Sequence, residues 1–162
     1  MYKQKSEIIS QIQSYHKEVG RLYFEIYERI EDEKMKNIIH DLYLHEEKRE
    51  KYLEKHKNVA KAINCWLDFP CEKLTNQMNE CLNIVKIGSD VKMEDLIKLE
   101  LHFDNCLIKI YNILASESEM NETVINVFYY MLKKTKKEEK VFAQMLQNSG
   151  YNISNGFAGL YI

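Results

Sequence analysis

The chain is short of the residues that break helices. Its 162 residues include a single proline, Pro70, and only five glycines, so long helices meet few obstacles. It has no surplus of positive charge: 23 Lys and Arg stand against 25 Asp and Glu, interspersed along the sequence. That balance is unlike the basic footprint of a nucleic-acid binder. No run of about 18 apolar residues occurs, so no membrane span is expected. The opening Met1-Tyr2-Lys3-Gln4-Lys5 has no apolar stretch behind it, as a secretory signal would, and the cytoplasm is the expected location. The four cysteines, Cys65, Cys71, Cys81 and Cys106, form no Cys-x-x-Cys pair, and no histidine cluster stands beside them at zinc-ligand spacing. They read as reduced, mostly buried thiols without a function.

What is present is amphipathic helix. With 45% hydrophobic and 30% charged residues, the chain has the makings of one globular domain with a real core. Turning about 100° per residue predicts four long helices and an all-α fold. The first, from about Ser6 to Glu31, lays Ile8, Ile12, Tyr15, Val19, Leu22, Tyr23, Ile26 and Ile30 on one face. The second, from about Glu33 to His56, uses Met35, Ile38, Ile39, Leu42 and Leu53, with Asp32 as its N-cap. The third follows Gly88-Ser89-Asp90 and uses Leu96, Phe103, Leu107, Ile110, Tyr111 and Leu114. The fourth follows the cap candidate Asn121, uses Val124, Phe128, Met131, Leu132, Phe142 and Leu146, and stops at Ser149-Gly150. Residues 57–90 form a long crossover, interrupted by Pro70, in which Leu74, Met78, Cys81 and Val85 suggest a short extra helix. Two hairpins joined by one long crossover are the connectivity of a ferritin-like bundle over residues 1–149.

The two hairpins repeat one another. Shifted by 88 positions, Ile8 meets Leu96, Tyr15 meets Phe103, His16 meets Asp104, Val19 meets Leu107, Tyr23 meets Tyr111 and Ile26 meets Leu114. Shifted by 93, Met35 meets Phe128, Ile39 meets Leu132, Glu46 meets Glu139, Arg49 meets Phe142 and Leu53 meets Leu146. The difference falls in the turns, where insertions are tolerated.

A few charges lie on the apolar stripes. Glu46 and Arg49 sit between Leu42 and Leu53, and Glu139 between Leu132 and Phe142. His16 and Asp104 occupy matching places, with Glu100 one turn before Asp104. A shift of one residue would pair Glu47 with Glu50 instead, but Glu47 points about 140° away from Leu42. Buried carboxylates need positive charge beside them.

On these residues the chain resembles the rubrerythrin family of the ferritin-like superfamily. Such domains carry a Glu on the first and third helices, a Tyr about two turns later, and Glu-x-x-His on the second and fourth, together holding two bridged iron ions. The stretches LYFEIYERIEDEKMKNIIHDLYLHEEKREKYL and DNCLIKIYNILASE carry the likeness over roughly residues 6–56 and 91–148. Tyr23 and Tyr111 stand in the expected places beside the metal ligands. The first-helix Glu is replaced by His16 and the third-helix Glu by Asp104. Glu46 and Glu139 remain, but Arg49 and Phe142 replace the two histidines of Glu-x-x-His.

The resemblance therefore implies a degenerate di-iron site. Arg49, whose charge proteins do not titrate away, is expected to face Asp104 or Glu139 as well as Glu46, turning a metal site into a buried ion-pair network. No cofactor is the first expectation. The alternative is iron, manganese or zinc at a reduced site of His16, Glu46, Asp104, Glu139 and Glu100 or His45. A non-catalytic protein acting through binding or assembly follows from the first reading, and iron or peroxide handling from the second. A dimer is implied by family analogy alone. Tyr15, Tyr23, Tyr27, Tyr43, Tyr52, Tyr111, Tyr129 and Tyr130 read as core aromatics, not a radical relay, and His40, His56 and His102 lack the spacing of a hemerythrin. The tail, residues 150–162, has no charged side chain and ends in Phe157, Leu160, Tyr161 and Ile162. It is expected either to fold back on the bundle or to dock a protein partner, as in a compartment cargo.

Overall fold

The computed structural model describes residues 2–63, 66–68, 71–83, 90–116, 122–148 and 150. The elements are β1 (Tyr2–Gln4), α1 (Lys5–Arg29), α2 (Glu33–Ile63), β2 (Trp66–Asp68), α3 (Cys71–Asn83), α4 (Met93–Ser116) and α5 (Glu122–Asn148). The fold is all-α apart from one short strand pair. The tail residues Phe157, Leu160, Tyr161 and Ile162, the cap candidate Asn121, and Cys65 lie outside the described residues. No described helix is long and apolar enough to cross a membrane.

Local chemistry sets the helix ends. The Asp32 carboxylate accepts the Met35 backbone N–H at 2.8 Å, capping α2 from the position before its first turn. At α4 the roles reverse, and Asp95 accepts the Lys92 N–H at 3.0 Å, the return half of a capping box. Beyond α5, Gly150 takes φ +85° and donates its N–H to the Gln147 carbonyl at 3.0 Å. A residue without Cβ suits that left-handed turn.

Helix α1 packs on α2 and α4 on α5, while α3 lies against both α1 and α4, and α2 reaches α5. The repeat positions Ile8 and Leu96, Tyr15 and Phe103, Val19 and Leu107, Tyr23 and Tyr111, and Ile26 and Leu114 are all buried. The rings interlock edge to face: Tyr15 meets Phe103 with centroids 6.4 Å apart, and Tyr23 meets the same ring at 6.0 Å, the arrangement that aromatic quadrupoles favour.

Three features differ from expectation. Helix α2 continues to Ile63 instead of ending near His56, because no glycine or proline interrupts the chain between Glu33 and Pro70. The extra helix is present as α3, but β1 and β2 also pair antiparallel, Tyr2 with Asp68, Lys3 with Leu67 and Gln4 with Trp66. Strands of three residues are too short to leave a period in the sequence. Finally, Tyr129 and Tyr130 are 52% and 47% exposed, because they fall beside the Phe128–Met131–Leu132 stripe and not on it.

The Asp32 cap yields a direct test. Asp32→Ala should cost about 1 kcal/mol, whereas Asp32→Asn, which keeps the acceptor, should cost only a few tenths, as read from urea unfolding midpoints.

Candidate functional site

The charges on the apolar stripes meet inside the molecule. His16, Glu46, Arg49, Glu100, Asp104 and Glu139 are each at most 4% exposed. They come from α1, α2, α4 and α5, at the level where Tyr23 and Tyr111 enter the core.

Arg49 is the hub. Its Nη1 donates to Glu46 Oε1 at 2.6 Å and to Asp104 Oδ1 at 3.3 Å. Its Nε and Nη2 both donate to Glu138 Oε2, at 3.1 and 2.7 Å. The expected contact with Asp104 is present, but the α5 partner is Glu138, not Glu139. Glu138 sits about 100° round α5 from Glu139, at the rim of the apolar stripe, and a long guanidinium side chain reaches across to it. That reach, and not the helical period, is the signal that the sequence reading lacked.

Glu46 is bound twice. Burial raises its pKa, but Arg49 and then His16 outweigh this and hold the carboxyl below its usual value. An ionised carboxylate only accepts hydrogen bonds, so His16 Nδ1–H donates to Glu46 Oε2 at 2.5 Å. The other ring nitrogen, Nε2, lies 2.9 Å from the Tyr111 hydroxyl.

The remaining acids are pushed the other way. Burial, followed by repulsion from Asp104, raises Glu100 well above the carboxylate range, and the Tyr23 hydroxyl donates to it. Burial raises Asp104 to about 6, although Arg49 pulls it down. Burial and then Asp104 raise Glu139 to about 7. Asp104 Oδ2, Glu139 Oε1 and Thr135 Oγ1 are buried without a hydrogen-bond partner. Phe142 occupies its expected inward place at 4% exposure.

Two cavities border the network. One of about 280 Å³ lies over Gly20 and reaches His16 and Glu46, and one of about 480 Å³ is lined by His45, Tyr130, Lys133, Lys134, Lys137, Glu138 and Val141. His45 therefore opens toward Glu138 and the lysines. Burial is the first cause lowering its pKa.

Among the described residues, the group that brings three metal-binding atoms within 4.8 Å of one another is not this one. It is Cys81, His102 and Cys106, between α3 and α4. Cys81 and Cys106 are joined as a disulfide, which corrects the expectation of reduced thiols. Their pairing depends on how α3 packs on α4, but His102 and Cys106 stand four residues apart on one helix face. That spacing was available in the sequence.

Comparison of the chain with family models, curated proteins and solved structures finds no match.

The network predicts a pH response. Glu139 and Asp104 bind protons more tightly folded than unfolded. Between their ordinary values of 4.5 and 3.8 and their raised values of about 7 and 6, the native state holds more protons, so stability falls as pH rises through that window. Arg49→Ala should cost about 3–5 kcal/mol at pH 7 and less at pH 5, where the stranded carboxylates take up protons. Glu139→Gln should flatten the slope between pH 5 and 8. Urea midpoints across that range check both.

Proposed function

We propose that the chain is a ferritin-like, rubrerythrin-type four-helix bundle with its crossover between α2 and α4. Its di-iron ligand positions have become a buried ion-pair network, and it acts without catalysis, through binding or assembly. The observation that carries this reading is Arg49, 1% exposed and bonded to carboxylates of α2, α4 and α5.

The residues do not fit a pair of iron ions. The two Glu-x-x-His histidines are an arginine and a phenylalanine, and the guanidinium occupies oxygens of Glu46 and Asp104 that a metal would need. His16 has both ring nitrogens engaged. A fixed positive charge at that point repels a divalent cation. The surface around the 480 Å³ cavity, where Tyr130 and Val141 stand beside Lys133, Lys134 and Lys137, supports a binding role with an apolar contact and cationic rim. A homodimer is part of the proposal by family analogy.

A second reading has its own support. The unpartnered Asp104 Oδ2, Glu139 Oε1 and Thr135 Oγ1 all belong to α4 and α5, and oxygen donors on that side suit a single iron or manganese ion.

Changing Arg49 and Phe142 together to His separates the readings, because it rebuilds both Glu-x-x-His motifs and removes the competing charge. The double variant should gain thermal stability on addition of ferrous or manganous ion, while the wild type should not. Wild-type protein that purifies with about one equivalent of iron or manganese, and loses stability to a chelator, would put the second reading first.

A further inference from the structure

The seam between α3 and α4 gathers two sulfurs and an imidazole away from the charged core. His102 and Cys106 stand one turn apart on α4, and Cys81 faces them from α3. Asp104, two residues from His102, lies about 200° round the same helix, so the seam and the network use opposite sides of α4. Cys81 is 2% and Cys106 6% exposed, while His102 is half-buried. The seam thus has a buried sulfur floor and an imidazole at its edge. His102 Nε2 lies 3.9 Å from Cys106 Sγ and donates to the Cys81 carbonyl oxygen at 2.8 Å, which turns that nitrogen toward the sulfurs. Nothing in the buried network accounts for this arrangement.

We propose that Cys81, Cys106 and His102, when the cysteines are reduced, bind one soft divalent cation of the zinc class, and that the disulfide is the alternative state that excludes it. Two thiolates and one neutral imidazole are a ligand set for such an ion, leaving a fourth tetrahedral position for water or an incoming ligand. On binding, each thiol releases its proton to solvent and the sulfur donates an electron pair to the cation. His102 gives up its bond to the Cys81 carbonyl so that Nε2 can coordinate. A peroxide would release the cation. The two thiolates surrender two electrons and form the S–S bond. Hydrogen peroxide takes those electrons with two protons and leaves as two waters, and the cation departs.

The test uses the full chain, reduced with a phosphine, freed of reductant without oxygen, and titrated with cobaltous ion as a spectroscopic stand-in for zinc. One equivalent should bind with a thiolate-to-cobalt charge-transfer band, which zinc ion then abolishes by displacement. A cobalt ion held only by the carboxylate core would bind without that band, so failure here is distinguishable from failure of the ion-pair reading. The oxidised chain should show no band. Adding peroxide to the cobalt form should bleach it and leave protein lighter by two hydrogen atoms. Cys65→Ser with Cys71→Ser should keep the band and Cys106→Ser should lose it, with helix content checked by circular dichroism. His102→Ala should weaken binding by more than the roughly 10–100-fold that losing an outer-shell partner costs. Reduced wild-type protein without the band would overturn the proposal, as would a band that persists in Cys106→Ser. So would a band lost in the Cys65→Ser/Cys71→Ser variant at full helix content.

Discussion

A guanidinium placed inside a protein cannot shed its proton to escape the cost of burial, so the groups around Arg49 must accommodate its charge. Glu46 does so from the same helix, Asp104 from α4 and Glu138 from α5. His16 joins through Glu46 and draws in α1. Four helices are thereby tied to one side chain, and none can slide by a turn without stranding a charge. Buried ion pairs are weak evidence for stability, since well-packed apolar residues often do as well, but they are good devices for fixing register. The acids of the cluster outnumber Arg49. Burial pushes up the carboxyls of Glu100 and Glu139, and that of Asp104 as well despite its bond to Arg49.

The two helical hairpins share this load unequally. On the α1–α2 side every strong group has a partner: His16 bonds Glu46 and Tyr111, and Glu46 bonds His16 and Arg49. Within the network the unpartnered oxygens belong to α4 and α5, while Gln11 Oε1, also unpartnered, stands on α1 where its amide nitrogen bonds Thr75 of α3. Phe142, the counterpart of Arg49 in the repeat, supplies volume there without a donor. Replacing one repeated position by a cation and the other by carbon thus leaves a saturated half and a deficient half. That asymmetry gives the single-cation reading its one foothold.

How much of this was legible depended on whether an interaction follows the helical period. Glu46, Arg49, Asp104 and Glu139 interrupt apolar stripes, so their burial could be read from the spacing alone. The Asp32 cap was legible for the same local reason. Glu138 was not, because its link to Arg49 depends on side-chain reach across two helices. The pairing of β1 with β2 joins segments more than 60 residues apart through backbone groups, and no side-chain pattern announces it. Cys81 and Cys106 lie in different helices whose packing the sequence does not state, although the His102–Cys106 spacing marked two of the three groups gathered there.

Helix α4 links the two centres and keeps them separate. Its inward side carries Asp104 into the charged network, and its opposite side carries His102 and Cys106 against α3. The disulfide closes a separation of 25 residues, a constraint worth about 3.5 kcal/mol by loop-closure entropy. Reduction would give up that constraint at the α3–α4 seam, away from the partners of Arg49 on α2, α4 and α5. A bound cation would bridge the same two helices through the same sulfurs and restore a cross-link where the disulfide was lost. The hydrogen bonds of Arg49 join α2, α4 and α5 and none runs to α3, so the proposed exchange of one cross-link for the other would take place outside that network.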